Sequence, residues 1–456
     1  MGPPAGAPAR SRDHRCRRTL RALVTFTEWL LATQLQAPSK LVPIDTAFVV
    51  LGLLVLLPPF RGRRRTDTRS PWRSPSAWRA VGLRAAVAGA AAGLVLLACW
   101  ITSDVVDLFG VSLSAVTRMW CALAAAALAL AVTGLVQGGG WRRVIAVVLV
   151  PAALVVPALG VNVEFAKYPT LGTVVQSDPY PELDLHAAPA ATMPAVGEVR
   201  TVTIPGRRSH FDARPAVVYL PPAALVRDPQ PLPVVLAFAG QPGAPSDMFT
   251  AGRMDAVLDA YAAAHHGRAP IVLSVDQLSA PGRNTMCVDS RLGRVDTYVT
   301  RDVPDWVTKH LPVTPDRAHW GMVGFSQGAT CAVQFLTGHP DDFAAALAVS
   351  SELQPIDQSP QHSADQAFGG SLARWRAAAP RALMAEHAPY RGHELWLTAG
   401  SSDREFSENA ERLGAAAARA GIRVSVVSAP RSGHDWNTVQ WSLRAELPLL
   451  CDAIAT

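Results

Sequence analysis

Apolar residues follow two different rhythms along this chain. Up to residue 163 they form four long runs, approximately 43–60, 84–103, 117–137 and 144–163. Each of the last three holds at least 19 residues free of Asp, Glu, Lys and Arg. About 20 helical residues cross a hydrocarbon core of ~30 Å, so the pattern predicts an α-helical transmembrane region of about four spans over 43–163. The first run is the weakest, being short and carrying Asp45 near its edge. From residue 198 the runs shorten and alternate in type. Strand-like stretches fall at 199–204, 216–220, 232–239, 271–275, 320–325, 343–350, 394–398 and 423–428. Helix-like stretches fall at 254–264, near 297–310, and at about 404–420 and 437–454. Such alternation predicts an α/β domain over 198–456, a mostly parallel, doubly wound sheet with helices on both faces. Ligands in such sheets bind at the carboxyl ends of the strands.

Charge orients the spans. The net charge is +6, yet residues 1–84 hold fifteen Lys/Arg against four Asp/Glu, which leaves the remainder at −5. A basic excess placed beside apolar segments is a topology signal. Without a basic–aromatic stripe in the C-terminal half, no nucleic-acid partner is expected. Residues 61–84 hold eight Arg, and the 138–143 loop holds Arg142 and Arg143. The 104–116 loop has Asp104 and Asp107 and no Lys or Arg. The positive-inside tendency puts both Arg loops in the cytoplasm and the chain after residue 163 outside. Four spans then put the Arg-rich N-terminus outside as well. That conflict is resolved if 22–37 form a fifth span, if the true start lies downstream, or if the first span is misread.

Residues 1–42 read as a basic N-terminal segment. Residues 22–37 are apolar on one face but contain Glu28, which suits an interfacial helix. A cleavable signal peptide is not expected, because no compact apolar core ends in a small-residue cleavage site. Residues 164–197 are rich in Pro and Ala and read as a linker.

The chemistry centres on Gly324-Phe325-Ser326-Gln327-Gly328. An apolar strand precedes it and a helical pattern follows, as in a nucleophile elbow. Small neighbours let the serine Oγ project from a strained turn. A serine hydroxyl needs a base, and the base needs an orienting carboxylate. His434, in Ser432-Gly433-His434-Asp435-Trp436, is the expected base. Asp403, in Gly400-Ser401-Ser402-Asp403, is the expected acid, with Glu405 and Glu408 as rivals one turn on. Asp403 also suits a helix N-cap. An oxyanion hole needs two N–H groups. Gln327 supplies one, and the turn Ala239-Gly240-Gln241-Pro242-Gly243 the other, with Gln241 ahead of Gly240. Pro242 has no N–H to give.

These motifs resemble the esterase D-type branch of the α/β-hydrolases, which includes S-formylglutathione hydrolases, feruloyl esterases, enterochelin esterases and secreted mycolyltransferases. The whole chain is similar to actinobacterial membrane-anchored esterases, on Tyr168-Pro-Thr-Leu-Gly172, Val218-Tyr-Leu-Pro-Pro222, Gly240-Gln-Pro-Gly243 and Cys287-Val-Asp-Ser290. The resemblance implies a membrane-anchored, extracytoplasmic serine esterase or acyltransferase of the cell envelope. Its substrate would be a carboxylic ester, a cell-envelope lipid or glycolipid among the candidates. The mycolyltransferases use Glu as the third member, which keeps Glu408 in play.

No C-x-x-C and no zinc spacing occurs among the six cysteines, and neither metal nor cofactor is expected. Cys287 and Cys331 either form a disulfide, as an oxidising compartment permits, or remain two buried thiols. The 358–388 insertion stands where hydrolases carry lid elements. Its Phe368, Trp375 and Met384 either line an acyl site or pack a small helical cap. Two other classes compete with the enzyme: a non-catalytic binding module on a hydrolase fold, and a transporter or receptor. The spans hold few charges away from their ends, which disfavours a transport path.

Overall fold

The computed structural model describes residues 27, 29–58, 72, 74–106, 112–175 and 180–455. Among the described residues, four helices are long and apolar enough to cross a membrane: α1 (Pro38–Leu56), α2 (Pro75–Trp100, continued by one π-helical stretch Ile101–Val105), α3 (Ala115–Gln137) and α4 (Trp141–Phe165). Most extend a few residues beyond the apolar runs. Pro38 starts α1 from its first turn, where a missing N–H costs nothing, so the helix takes in Pro43 and Asp45. α2 likewise begins with Pro75, well before the apolar run. Small residues carry the packing: a Cβ on Gly134 of α3 would stand 2.9 Å from both Ala146 of α4 and Val55 of α1. Close backbone approach of this kind is how helices associate where lipid supplies no hydrophobic drive.

The polar ends of these helices are sorted by sign. At one end, buried Arg84 donates to the carbonyls of Val55 and Leu56, and buried Arg142 to that of Leu57. These are the orphan carbonyls at the end of α1. At the other end, Glu164 accepts from Ser114 and Thr117, and Asp104 pairs with Arg118 at 2.6 Å. Arg118 lies in the first turn of α3, so the acidic loop is partly neutralised by a residue just beyond it.

Eight strands form the main sheet: β1 (Glu198–Val202), β2 (Ala216–Leu220), β3 (Val234–Phe238), β4 (Ile271–Ser274), β5 (Trp320–Phe325), β6 (Ala345–Val349), β7 (Glu394–Gly400) and β8 (Arg423–Ala429). Their order is β1-β2-β4-β3-β5-β6-β7-β8. The β1–β2 and β2–β4 pairs are antiparallel and the remaining pairs parallel. β2 to β6 are buried along their whole length, as strands covered on both faces should be. One face carries α7 (Gln327–Gly338) and α8 (Arg404–Ala420); the other carries α5 (Met254–Ala264) and α9 (Trp436–Ala453). Between β4 and β5, α6 (Val303–His310) is entered through a π-helical stretch at Tyr298–Asp302, so the helix expected near 297–310 is one rod in two geometries. This is the α/β-hydrolase arrangement.

One open alternative is decided and one expectation changes. The insertion folds into three short helices, Pro360–Ala367, Leu372–Ala377 and Pro380–His387. Phe368 and Trp375 close a small cluster with Met286 and Ala364, and Met384 joins the main core. Of the two alternatives for these side chains, the helical cap is the one observed: they pack on one another, on Met286 and on the main core. The linker is also more than a spacer. Ala166 is buried with α9, Tyr180 packs edge-on to Phe249, and Thr201 donates through its N–H to the Pro181 carbonyl. Residues 176–179 lie outside the described residues.

Upstream of α1, Gln34 bridges Thr170 and the Leu35 N–H donates to Pro169. Residues 34–37 therefore sit beside the chain that leaves α4 rather than spanning. Part of the segment expected as an interfacial helix, 22–26 and 28, lies outside the described residues, as do Cys16, Asp107 and nearly all of the Arg-rich loop before residue 74.

Cys287 and Cys331 are disulfide-bonded, with Cα atoms 5.6 Å apart and a sequence separation of 44. The cross-link ties α7 to the loop after β4. Replacing both by Ala should lower the unfolding free energy by about 2–4 kcal/mol, measured by urea titration; equal midpoints for the double variant and the oxidised protein would show that the bond contributes nothing.

Candidate active site

Everything at the site starts from one backbone turn. β5 ends at Phe325 and α7 begins at Gln327, which leaves Ser326 alone to reverse the chain, at φ 56° and ψ −121°. A side chain at Gly324 would stand 2.1 Å from the Gly328 carbonyl oxygen, and one at Gly328 would stand 2.4 Å from that of Phe238. Neither position admits a Cβ, so both glycines are set by space. The Ser326 N–H donates to Val349 at 2.9 Å, which fixes the turn against β6.

Ser326, His434 and Asp403 meet as expected. His434 Nε2 lies 2.8 Å from Ser326 Oγ. Its Nδ1 lies 3.2 Å from Asp403 Oδ2. The imidazole sits between Phe406 and Phe325, with ring centroids 4.2 and 5.1 Å away. Asp403 does two jobs: its other oxygen accepts from the Phe406 N–H at 3.4 Å, capping α8. The two readings of Asp403 are thus compatible, since the cap orients the carboxylate that faces the histidine. Glu408 is elsewhere, on the solvent face of α8 between Arg404 and Arg412. Glu405 lines the same cavity as Ser326.

The turn after β3 reaches this cavity with Gly240 and Gln241 in its wall. Among the described residues, no acceptor takes the N–H of Gln241 or of Gln327. For Gln327 this follows from its place in the first turn of α7, where N–H groups have no intrahelical partner. Its side chain is buried and points away, with Oε1 taking a bond from Gln277 at 3.0 Å and Nε2 facing Asn284 and the Cys331 sulfur.

Several functional neighbours escaped the sequence reading. Gln277 donates to the Ala239 carbonyl at 2.6 Å, and Arg214 donates to the Gly243 carbonyl at 2.8 Å. Arg214 is itself held by fully buried Asp276. These contacts position the 239–243 turn. The available signal was the polar pair Asp276-Gln277 at the end of an otherwise apolar strand. Glu352, just past β6, also lines the cavity. It meets the Thr330 hydroxyl through both its backbone N–H and its carboxylate. Desolvation pushes its carboxyl up to about 8, against the lowering effect of the Ile356 N–H and Thr330. Burial thus favours the protonated carboxyl, although part of its surface still meets the cavity.

A serine, an imidazole and a carboxylate in this chain of hydrogen bonds can carry out acyl transfer. No cluster of His, Cys, Asp and Glu suited to a metal occurs among the described residues.

The model of the putative esterase family matches residues 212–450, and this chain belongs to that family of ester hydrolases. An uncharacterized protein of Corynebacterium glutamicum is 32% identical over 324 residues, covering 66% of this chain and 76% of its own length. Similar solved structures include a ferulic acid esterase (19% identity, 57% of this chain, 99% of that one, TM-score 0.48). An S-formylglutathione hydrolase of Agrobacterium tumefaciens is matched at 17% identity over 58% of this chain and 98% of that one, with TM-score 0.48.

Two outcomes follow for variants. Asp403→Asn should lower kcat on p-nitrophenyl acetate by roughly 10⁴-fold, while Glu408→Gln should stay within about twofold, as expected for a solvated side chain; the reverse ranking would reassign the acid. Glu352 has a folded pKa above its unfolded value, so the native state binds the extra proton. Its contribution is whole below pH 4.5 and is lost as pH rises to about 8. Glu352→Gln should therefore gain on the order of 1 kcal/mol or more at pH 8 relative to pH 5, read as diverging thermal midpoints; parallel curves would refute it.

Proposed function

We propose that this protein is a membrane-anchored serine esterase or acyltransferase whose Ser326, His434 and Asp403 form a catalytic triad on the extracytoplasmic side. The observation that carries the reading is the unbroken hydrogen-bond chain from Ser326 Oγ through His434 to Asp403 at a positive-φ elbow. Ser326 Oγ attacks the ester carbonyl while His434 Nε2 accepts its proton. Asp403 holds the imidazole by its Nδ1–H and stabilises the imidazolium. The N–H groups of Gln241 and Gln327 receive the developing oxyanion; one such donor is worth about 3–4 kcal/mol of barrier. His434 then protonates the departing alcohol, and water or an acceptor hydroxyl releases the acyl group.

The extracytoplasmic side is supported by the sorting of charge along the helices. α4 runs from the end where Arg84 and Arg142 are buried to the end that holds Asp104 and Glu164. The positive-inside tendency then sets its last turn, and the sheet that follows, outside. The disulfide suits an oxidising compartment.

A fluorophosphonate probe should label wild-type protein and leave Ser326→Ala unlabelled while both keep the same thermal midpoint. Labelling of a folded wild-type protein at another residue, or not at all, would favour a binding module on a hydrolase fold.

A further inference from the structure

The cavity that holds Ser326 does not end at the sheet. It encloses ≈ 2140 Å³ and continues to Leu154, Val155, Ala158 and Leu159 of α4. Small-molecule sites usually span ~300–1,000 Å³, so this one exceeds what a compact ester fills. Leu154 and Val155 are 58% and 55% exposed. From Leu154 to Phe165, α4 rises about 16 Å, which is close to half of a ~30 Å hydrocarbon core. One wall of the serine cavity is therefore the flank of an apolar helix at the depth of one leaflet. The same cavity is also lined by polar side chains, Arg214, Glu352, Asp357 and Glu405 among them. A ligand that satisfies both the apolar and the polar lining is an amphiphile.

The wall is held in place. Lys167, two residues past α4, pairs with Asp247 and lies 5.2 Å over the Trp436 ring. Asn437 donates to the Glu164 carbonyl at 2.7 Å. Trp436 and Asn437 open the helix that follows His434, so the end of α4 is clasped to the segment that carries the base.

We propose that the ester is drawn sideways from the membrane. A lipid of the outer leaflet lays its acyl chain along Leu154, Val155, Ala158 and Leu159, places its carbonyl at Ser326, and leaves its head group to the polar lining. This rests on the serine-esterase reading above. The Ser326 Oγ–acyl bond forms as the ester C–O bond breaks. The serine proton passes through His434 to the departing head-group alcohol. The chain stays in the groove as an acyl-enzyme until a hydroxyl donor, water or another alcohol, removes it.

The test uses the full chain in phosphatidylcholine–phosphatidylglycerol vesicles, with p-nitrophenyl palmitate in the bilayer and p-nitrophenyl acetate in the buffer. Ala158→Trp and Val155→Trp each place an indole in the groove. Val144→Trp, lower on α4 and outside the cavity, is the control. Losing contact with a few methylenes should lower the palmitate-to-acetate ratio of kcat/KM by roughly tenfold or more in both groove variants, with the control unchanged. An unchanged ratio in both groove variants, or wild-type turnover of acetate without palmitate, overturns the groove and leaves the esterase reading intact. Turnover of neither ester by folded wild-type protein overturns the esterase reading itself.

Discussion

The site depends on close packing at two glycines, where neither backbone leaves room for a Cβ. Gly328 lies against the carbonyls of Phe238 and Ala239, and Gly324 against that of Gly328. These contacts press the start of α7 onto the end of β3. They set the start of α7 beside the 239–243 turn, with Ser326 between them at φ 56°. A non-Gly residue at positive φ costs of order 1–3 kcal/mol and persists only when its surroundings over-determine it. Here the surroundings are β3 and β6 on either side of β5, each paired in full parallel register. The elbow is thus a consequence of the central sheet, and the sheet's burial is what holds the strain.

Around the elbow, polar groups from distant parts of the chain act as braces. Asp276 is fully buried and accepts from the Arg214 N–H, its guanidinium, and the N–H groups of Leu278 and Ser279. A buried carboxylate is tolerable only when so completely bonded. Through Arg214 the same residue reaches the Gly243 carbonyl, and through Gln277 the strand end reaches Ala239 and the Gln327 side chain. The disulfide closes this ring from below, since Cys331 stands one turn along α7 and Gln327 Nε2 rests on its sulfur. Arg214 and Gln277 thus hold the 239–243 turn at its two ends.

The elements most legible in sequence were those whose signal is local. The stretches at 254–264, 320–325 and 404–420 coincide with the observed elements, because periodicity and caps lie within each segment. Ser326, His434 and Asp403 were readable because each stands at a strand end with turn residues beside it. Glu408 could be separated from Asp403 by local geometry as well, since Arg404 and Arg412 sit at i−4 and i+4 to it. The Arg214–Asp276 and Gln277–Gln327 contacts were not readable: they join residues 62 and 50 positions apart, and only the assembled sheet makes them neighbours. The insertion stayed undecided for a related reason. Its apolar residues look the same in sequence whether they face a ligand or one another, and only their packing on Met286 and the main core settles it.

The same ambiguity hides the role of α4. An apolar helix facing lipid and one facing an acyl chain have one composition, because the two surroundings are chemically alike. What separates them is where the helix end is bound. Ala166 adopts φ 53° and is buried with α9, which turns the chain sharply as it leaves the last turn of α4. Lys167 then meets Asp247, whose carboxylate also caps the Ala244 N–H beside the 239–243 turn. A free tether would leave the sheet loose relative to α4. A short, buried and ion-paired exit instead holds the serine cavity against α4. On the lateral-entry proposal, the few residues between Glu164 and Lys167 would serve both anchoring and substrate access.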